Sequence, residues 1–125
     1  MTNGRTFKMK LNEYQVKAKV FATYQIPQYA FTNLFAEAGE VASKIAKIER
    51  GDKVDMVFYA DVIDAIRYID ELKEPILKEL GDVLWQLSAC CNELGVTLEE
   101  VAQMNLDKLG GRKERGTIKG DGDER

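Results

Sequence analysis

Two short strings in this chain nearly repeat, Glu37-Ala38-Gly39-Glu40-Val41 and Glu79-Leu80-Gly81-Asp82-Val83. Each reads acid-x-Gly-acid-Val, which puts two carboxylates at i and i+3, on one face of a helix. Four carboxylates carried on two helices suit hard divalent cations, which take oxygen ligands. A metal-dependent reaction at a phosphate is the chemistry this pattern favours.

The repeat extends past the acids. At the same offset Leu34 matches Ile76, Ala38 matches Leu80, Val41 matches Val83, Ala42 matches Leu84 and Ile45 matches Leu87. At helical spacing these positions form one apolar stripe on each helix. Glu37 and Glu79 border the stripes, with Glu40 and Asp82 just outside on the same side. If the stripes face each other, the four acids converge at the edge of the core. Acid pairs at this spacing are ordinary on solvated helix faces, and Asp61/Asp64 and Glu71/Glu74 are further examples here. The doubled glycine-containing string and the shared place beside a stripe separate the two site pairs from those. Gly39 and Gly81 each cost about 0.8–1.0 kcal/mol relative to alanine inside a helix. Close approach by another backbone or a ligand is one reason to keep them.

Asn105 interrupts the stripe Leu98, Val101, Ala102, Leu109. It reads either as a core amide or as an amide that holds a ligand acid or substrate. Lys108, one turn on, is a cation for phosphate or a surface lysine. Lys44 follows Glu40 by one turn, so an i, i+4 ion pair accounts for it. Trp85 falls opposite its helix's apolar stripe, which predicts burial in a subunit interface ahead of stacking on a nucleobase. Tyr14, Phe21 and Phe35 are expected in the core. Arg112 and Arg115 lie in a glycine-rich end that either stays disordered or folds over a phosphate.

Composition narrows the field. The chain has 125 residues, 45% of them hydrophobic, and a net charge of −3. One domain with one core is expected. The charge gives no reason to expect a nucleic-acid polymer as partner. No apolar run is long enough to span a membrane, and the polar, basic start from Met1 to Lys10 has no signal-peptide core. These features predict a cytoplasmic protein, of a bacterium or of a phage-infected host. The chain has no histidine, which excludes Ser-His-Asp and Cys-His catalysis and the usual catalytic zinc sites. Adjacent Cys90 and Cys91 read as packed, reduced thiols.

The elements that must position the acids are helical almost throughout. Asn12 with Gln15 resembles an N-cap pair opening a helix that runs to about Tyr24. A turn around Pro27 precedes a long helix from Phe31 to Arg50, stopped by Gly51. The segment from Val54 to Leu72 reads as a further helix. Pro75 suits the first position of the next one, which ends at Gly95. Thr97 and Glu100 form a capping box that opens a last helix to about Leu109. From Gly110 on the apolar period is lost. Residues 1–109 are therefore expected to be the helical catalytic part, and 110–125 a glycine-rich basic tail or lid of the same domain. The fold class is all-α, a helical bundle of four to five helices.

With these residues in place, the chain resembles the MazG-like, all-α nucleoside triphosphate pyrophosphohydrolases of compact phage and bacterial type. The matching runs are Leu34 to Val41, Lys78 to Leu87, Asn92 to Val101, and Asn105-Leu106-Asp107-Lys108-Leu109. The resemblance implies cleavage of a (d)NTP between its α and β phosphates, giving (d)NMP and pyrophosphate. It implies Glu37, Glu40, Glu79 and Asp82 as ligands of Mg²⁺, or of Mn²⁺ in its place, with one acid orienting the attacking water. It implies contacts to the substrate or to the ligand acids from Asn105 and Lys108, with Arg112 and Arg115 as weaker candidates for phosphate contact, and a homodimer or homotetramer. Lys44 is a further candidate for binding substrate. The two motifs stand further apart here than is common in the family, with Val54–Leu72 as the extra length. Two other readings keep part of this picture. One is the same site acting on an alarmone or a modified dNTP, and the other is a non-catalytic helical dimerisation module.

Overall fold

The computed structural model describes residues 7–122. The first part of the Met1–Lys10 segment and the last three residues of the tail lie outside them. Five helices follow one another, α1 (Leu11–Lys19), α2 (Gln28–Glu49), α3 (Val62–Tyr68), α4 (Asp70–Leu94) and α5 (Leu98–Arg115), with a 3₁₀ turn at Met56–Phe58. There is no strand among the described residues, so the all-α expectation is met.

The backbone of the architecture is the antiparallel pair α2 and α4. At one end of their seam Ala30 meets Ala89 and Cys90, joined by Tyr24, Phe31 and Leu34. At the other end Ile48 meets Ile66 and Ile76, joined by Ile45, Val54, Met56, Val62 and Leu72. Small residues at the first end let the helices approach closely, and branched ones fill the second. The repeated stripe is only partly covered. Ile76 is buried, and Leu34, Val41, Ile45, Val83 and Leu84 are half-buried, but Ala38, Ala42, Leu80 and Leu87 face outward. The stripe is wider than one helix–helix contact.

Several element boundaries differ from the sequence expectation. The first helix stops at Lys19, and Asn12 and Gln15 do not cap it, since Lys10 holds the N-cap position without a side-chain bond. Both side chains reach α5 instead. Gln15 Oε1 accepts from Leu98 N at 2.8 Å, Asn12 Oδ1 from Glu99 N at 3.2 Å, and Thr97 Oγ1 from Glu100 N at 3.0 Å. Three orphan donors at the start of α5 are thus satisfied, two of them by α1. The capping box is present as expected.

The Val54–Leu72 segment is not one helix but the 3₁₀ turn and the short α3, each opened by an aspartate cap, Asp55 and Asp61. Val54, Met56, Val62, Ile66 and Leu72 turn inward onto Ile48 and Ile76, whereas Val57, Phe58, Ile63 and Tyr68 are exposed. Pro75 is inside α4 rather than at its start, because α4 begins at Asp70. That near the N-terminus a proline removes only one ladder bond. The last helix passes Gly110 and Gly111 to end at Gly116, whose left-handed φ of 71° allows Thr117 N to reach Arg112 O at 2.7 Å. Arg112, Lys113 and Arg115 in that last turn favour its continuation through interaction with the helix dipole. Phe21 and Phe35 are exposed, not in the core.

Candidate active site

The antiparallel pair sets Glu37 of α2 against Glu79 and Asp82 of α4. These three residues each offer a carboxylate oxygen within 4.8 Å of the others. Asn33, one turn before Glu37, donates from Nδ2 to Glu37 Oε1 at 3.4 Å. Lys44 Nζ stands 3.6 Å from Glu79 Oε1. The i, i+4 pairing of Lys44 with Glu40 is therefore replaced by a bond across the seam. Carboxylates this close repel by about 1–4 kcal/mol per pair, depending on screening. One lysine offsets part of that. Three oxygen donors with excess negative charge fit a hard cation that keeps water and phosphate ligands of its own.

Glu40 is exposed and stays outside the three-acid group. Gly39 and Gly81 face open space, since a Cβ on either would meet nothing within 4 Å. The close approach expected of them is not made by this chain.

Two recesses flank the acids, and Trp85 lines both. One, of about 470 Å³, is bordered by Tyr14, Phe21, Asp82 and Trp85. The other, of about 220 Å³, is bordered by Tyr29, Asn33, Glu37, Trp85 and Gln86. Trp85 is half-buried, and its Nε1 donates to Ala18 O of α1 at 3.3 Å. Burial raises the Tyr14 hydroxyl's pKa above its ordinary value, and the nearby Asp82 charge adds to that. Sequence reasoning missed Asn33 and Gln86. The signal was present, since each lies one helical turn from a site acid.

The other candidates are less central. Asn105 and Lys108 are exposed on α5, whose main contacts are with α1. Arg112 is buried and donates from Nη2 to Gly122 O at 3.2 Å, which folds the tail back on α5. The Arg115 guanidinium lies against Gly111, where a Cβ would stand 2.9 Å from Nη1.

The model of the MazG nucleotide pyrophosphohydrolase domain matches residues 25–117, which hold all three converging acids. The chain belongs to the MazG family. Among curated proteins this MazG chain is similar to the Gene 37 protein of Mycobacterium phage L5, 36% identical over 126 residues, covering 94% of this chain and 100% of that one. No solved structure gives a significant match. The phage relative agrees with the compact type of MazG protein that the sequence resembles. No described helix is long and apolar enough to cross a membrane.

Proposed function

We propose that this MazG protein is a Mg²⁺-dependent nucleoside triphosphate pyrophosphohydrolase that converts (d)NTP to (d)NMP and pyrophosphate. The observation that carries this reading is the meeting of Glu37, Glu79 and Asp82 from two helices. These three hold the cation, Mg²⁺ or Mn²⁺. Glu40, one turn from Glu37, supplies a further carboxylate from the solvent side. A bound divalent ion supplies an acidified water and neutralises charge on the phosphates.

In the reaction the oxygen of water bonds to the α-phosphorus. The bond to the α–β bridging oxygen breaks, and pyrophosphate leaves with the electron pair. One of the site acids orients that water. Lys44, beside Glu79, offers positive charge to the phosphates, and Trp85 with Tyr29 gives flat surface for a base. Asn105, Lys108, Arg112 and Arg115 are more peripheral substrate contacts in this reading.

The protein works as a homodimer or homotetramer. Exposed Leu80 and Leu87, which leave the apolar stripe half covered, and exposed Phe35 beside it on α2 support this, as they lie on the same two helices as the acids. Control of the nucleotide pool places the activity in the cytoplasm of a bacterial or phage-infected cell. Identification of the products formed from a dNTP and NTP panel, with and without EDTA, tests the reading.

A further inference from the structure

A third recess, of about 230 Å³, opens beside the acids at the Ile48–Ile76 end of the seam, and three lysines line it, Lys44, Lys47 and Lys53. Glu71 is the one acid on its lining. The floor is apolar, for Ile48 and Ile76 are both buried in the second core cluster. Lys44 borders both the recess and the acids, for it lines the recess and also stands 3.6 Å from Glu79 Oε1. Lys47 lies one turn further along α2, about 4.5 Å along the axis.

Lys53 is placed by the chain and not left to wander. Gly51 takes φ 80° and Asp52 N donates to Lys47 O at 3.2 Å, so the chain turns sharply back at the end of α2. Val54 then anchors in the core beside Ile48. Lys53 is held between that turn and that anchor. It belongs to the long connection between the two acidic motifs, so the connection itself completes the basic lining.

Resting on the pyrophosphohydrolase reading, we propose that the Lys44, Lys47 and Lys53 recess holds the β- and γ-phosphates, so that the enzyme selects nucleoside triphosphates over diphosphates. The acids would hold the cation that faces the reacting phosphate, and the lysines take the pyrophosphate that departs. Lysine ammonium groups suit this as point charges on flexible stems, able to follow the leaving group. The nucleoside then points along the seam in the other direction, toward Asn33, Trp85 and Gln86.

The test is calorimetric binding of inorganic pyrophosphate with Mg²⁺, alongside kcat and KM for a dNTP and the matching dNDP. It compares wild type with the Lys47→Ala/Lys53→Ala and Lys47→Arg/Lys53→Arg double variants. Both lysines are exposed, so either pair of changes leaves the core intact. The alanine variant is expected to weaken pyrophosphate binding by about tenfold or more and to raise KM for the triphosphate far more than for the diphosphate. The arginine variant keeps most of both. Pyrophosphate binding that is absent in wild type, or equal in wild type and the alanine variant, overturns the proposal even if hydrolysis is normal. Lysine-dependent binding without hydrolysis of any triphosphate leaves the site standing and removes the hydrolase reading instead.

Discussion

Lys44 Nζ lies 3.6 Å from Glu79 Oε1, across the α2–α4 seam, and not on its own helix neighbour Glu40. The pair couples the acids to a cation from the facing helix. Replacing Lys44 with Met removes that offset. Mg²⁺ is then expected to half-saturate at a lower concentration, because the acids lose a competing cation, while KM for the triphosphate rises. A Mg²⁺ titration at fixed substrate measures the first, and a substrate titration at saturating Mg²⁺ the second. Unchanged half-saturation contradicts the pairing.

The three converging acids should be worth more than Glu40. Glu37→Gln, Glu79→Gln and Asp82→Asn are each expected to lower kcat at least about 100-fold, beyond the 10–100-fold loss usual for a group that only supports a ligand. Glu40→Gln should lose less. Each change removes one member of a repelling set, so the melting temperature without metal should hold or rise, and the increase that Mg²⁺ gives wild type by binding the folded state should shrink. Thermal scans with Mg²⁺ and with EDTA read this directly. Full activity in Asp82→Asn sinks the metal-ligand assignment.

Gln15 is the main tie between α1 and the α4–α5 turn. Its Nε2 donates to Asn92 Oδ1 and to Val96 O, both at 2.9 Å, while its Oε1 takes Leu98 N. Gln15→Leu strands one buried and two part-buried partners and is expected to cost about 2–4 kcal/mol. Urea unfolding measures it. A loss below 1 kcal/mol, roughly the value of a single exposed bond, would show that α1 is not anchored this way.

Stability should fall on the alkaline side. Burial holds the Cys90 and Cys91 thiols above their ordinary value of 9.0, and the neighbouring Cys91 charge adds to the effect on Cys90. Burial, then its hydrogen bond to Glu93, pushes Tyr24 from 10.0 to about 12. All three bind their protons more tightly folded than unfolded, so their contribution is complete below about pH 9 and is lost as pH rises through the folded values. Urea midpoints should decline between about pH 9 and 12, with Tyr24→Phe and Cys90→Ala flattening the slope. A flat wild-type profile contradicts this.

The helices, the acid pairs and the Thr97 cap were legible in the sequence because each is a local pattern. Periodicity reports one chain segment against itself, and the capping box closes over four residues. Long-range partners were not legible. Asn12 and Gln15 have the spacing of a local cap, and only the docking of α1 on α5 shows that they serve the other helix. Lys44 has a satisfactory local partner in Glu40, and only the register of α2 on α4 brings Glu79 closer. The bond from Trp85 to Ala18 was hidden for the same reason, since the stripe on α4 records its contact with α2 and says nothing of α1. The branched and aromatic residues of the Val54–Leu72 segment fit a helical period, yet the aspartate caps at Asp55 and Asp61 divide it.

The central claim is the reaction, and product identity tests it most directly. Purified protein is incubated with dNTPs and NTPs in Mg²⁺, in Mn²⁺ and in EDTA, and the products are separated by chromatography. The account predicts monophosphate and pyrophosphate in equal amounts, with no diphosphate intermediate, abolished by EDTA and by Asp82→Asn. Release of inorganic phosphate with a diphosphate product, or turnover that persists in EDTA, would contradict it.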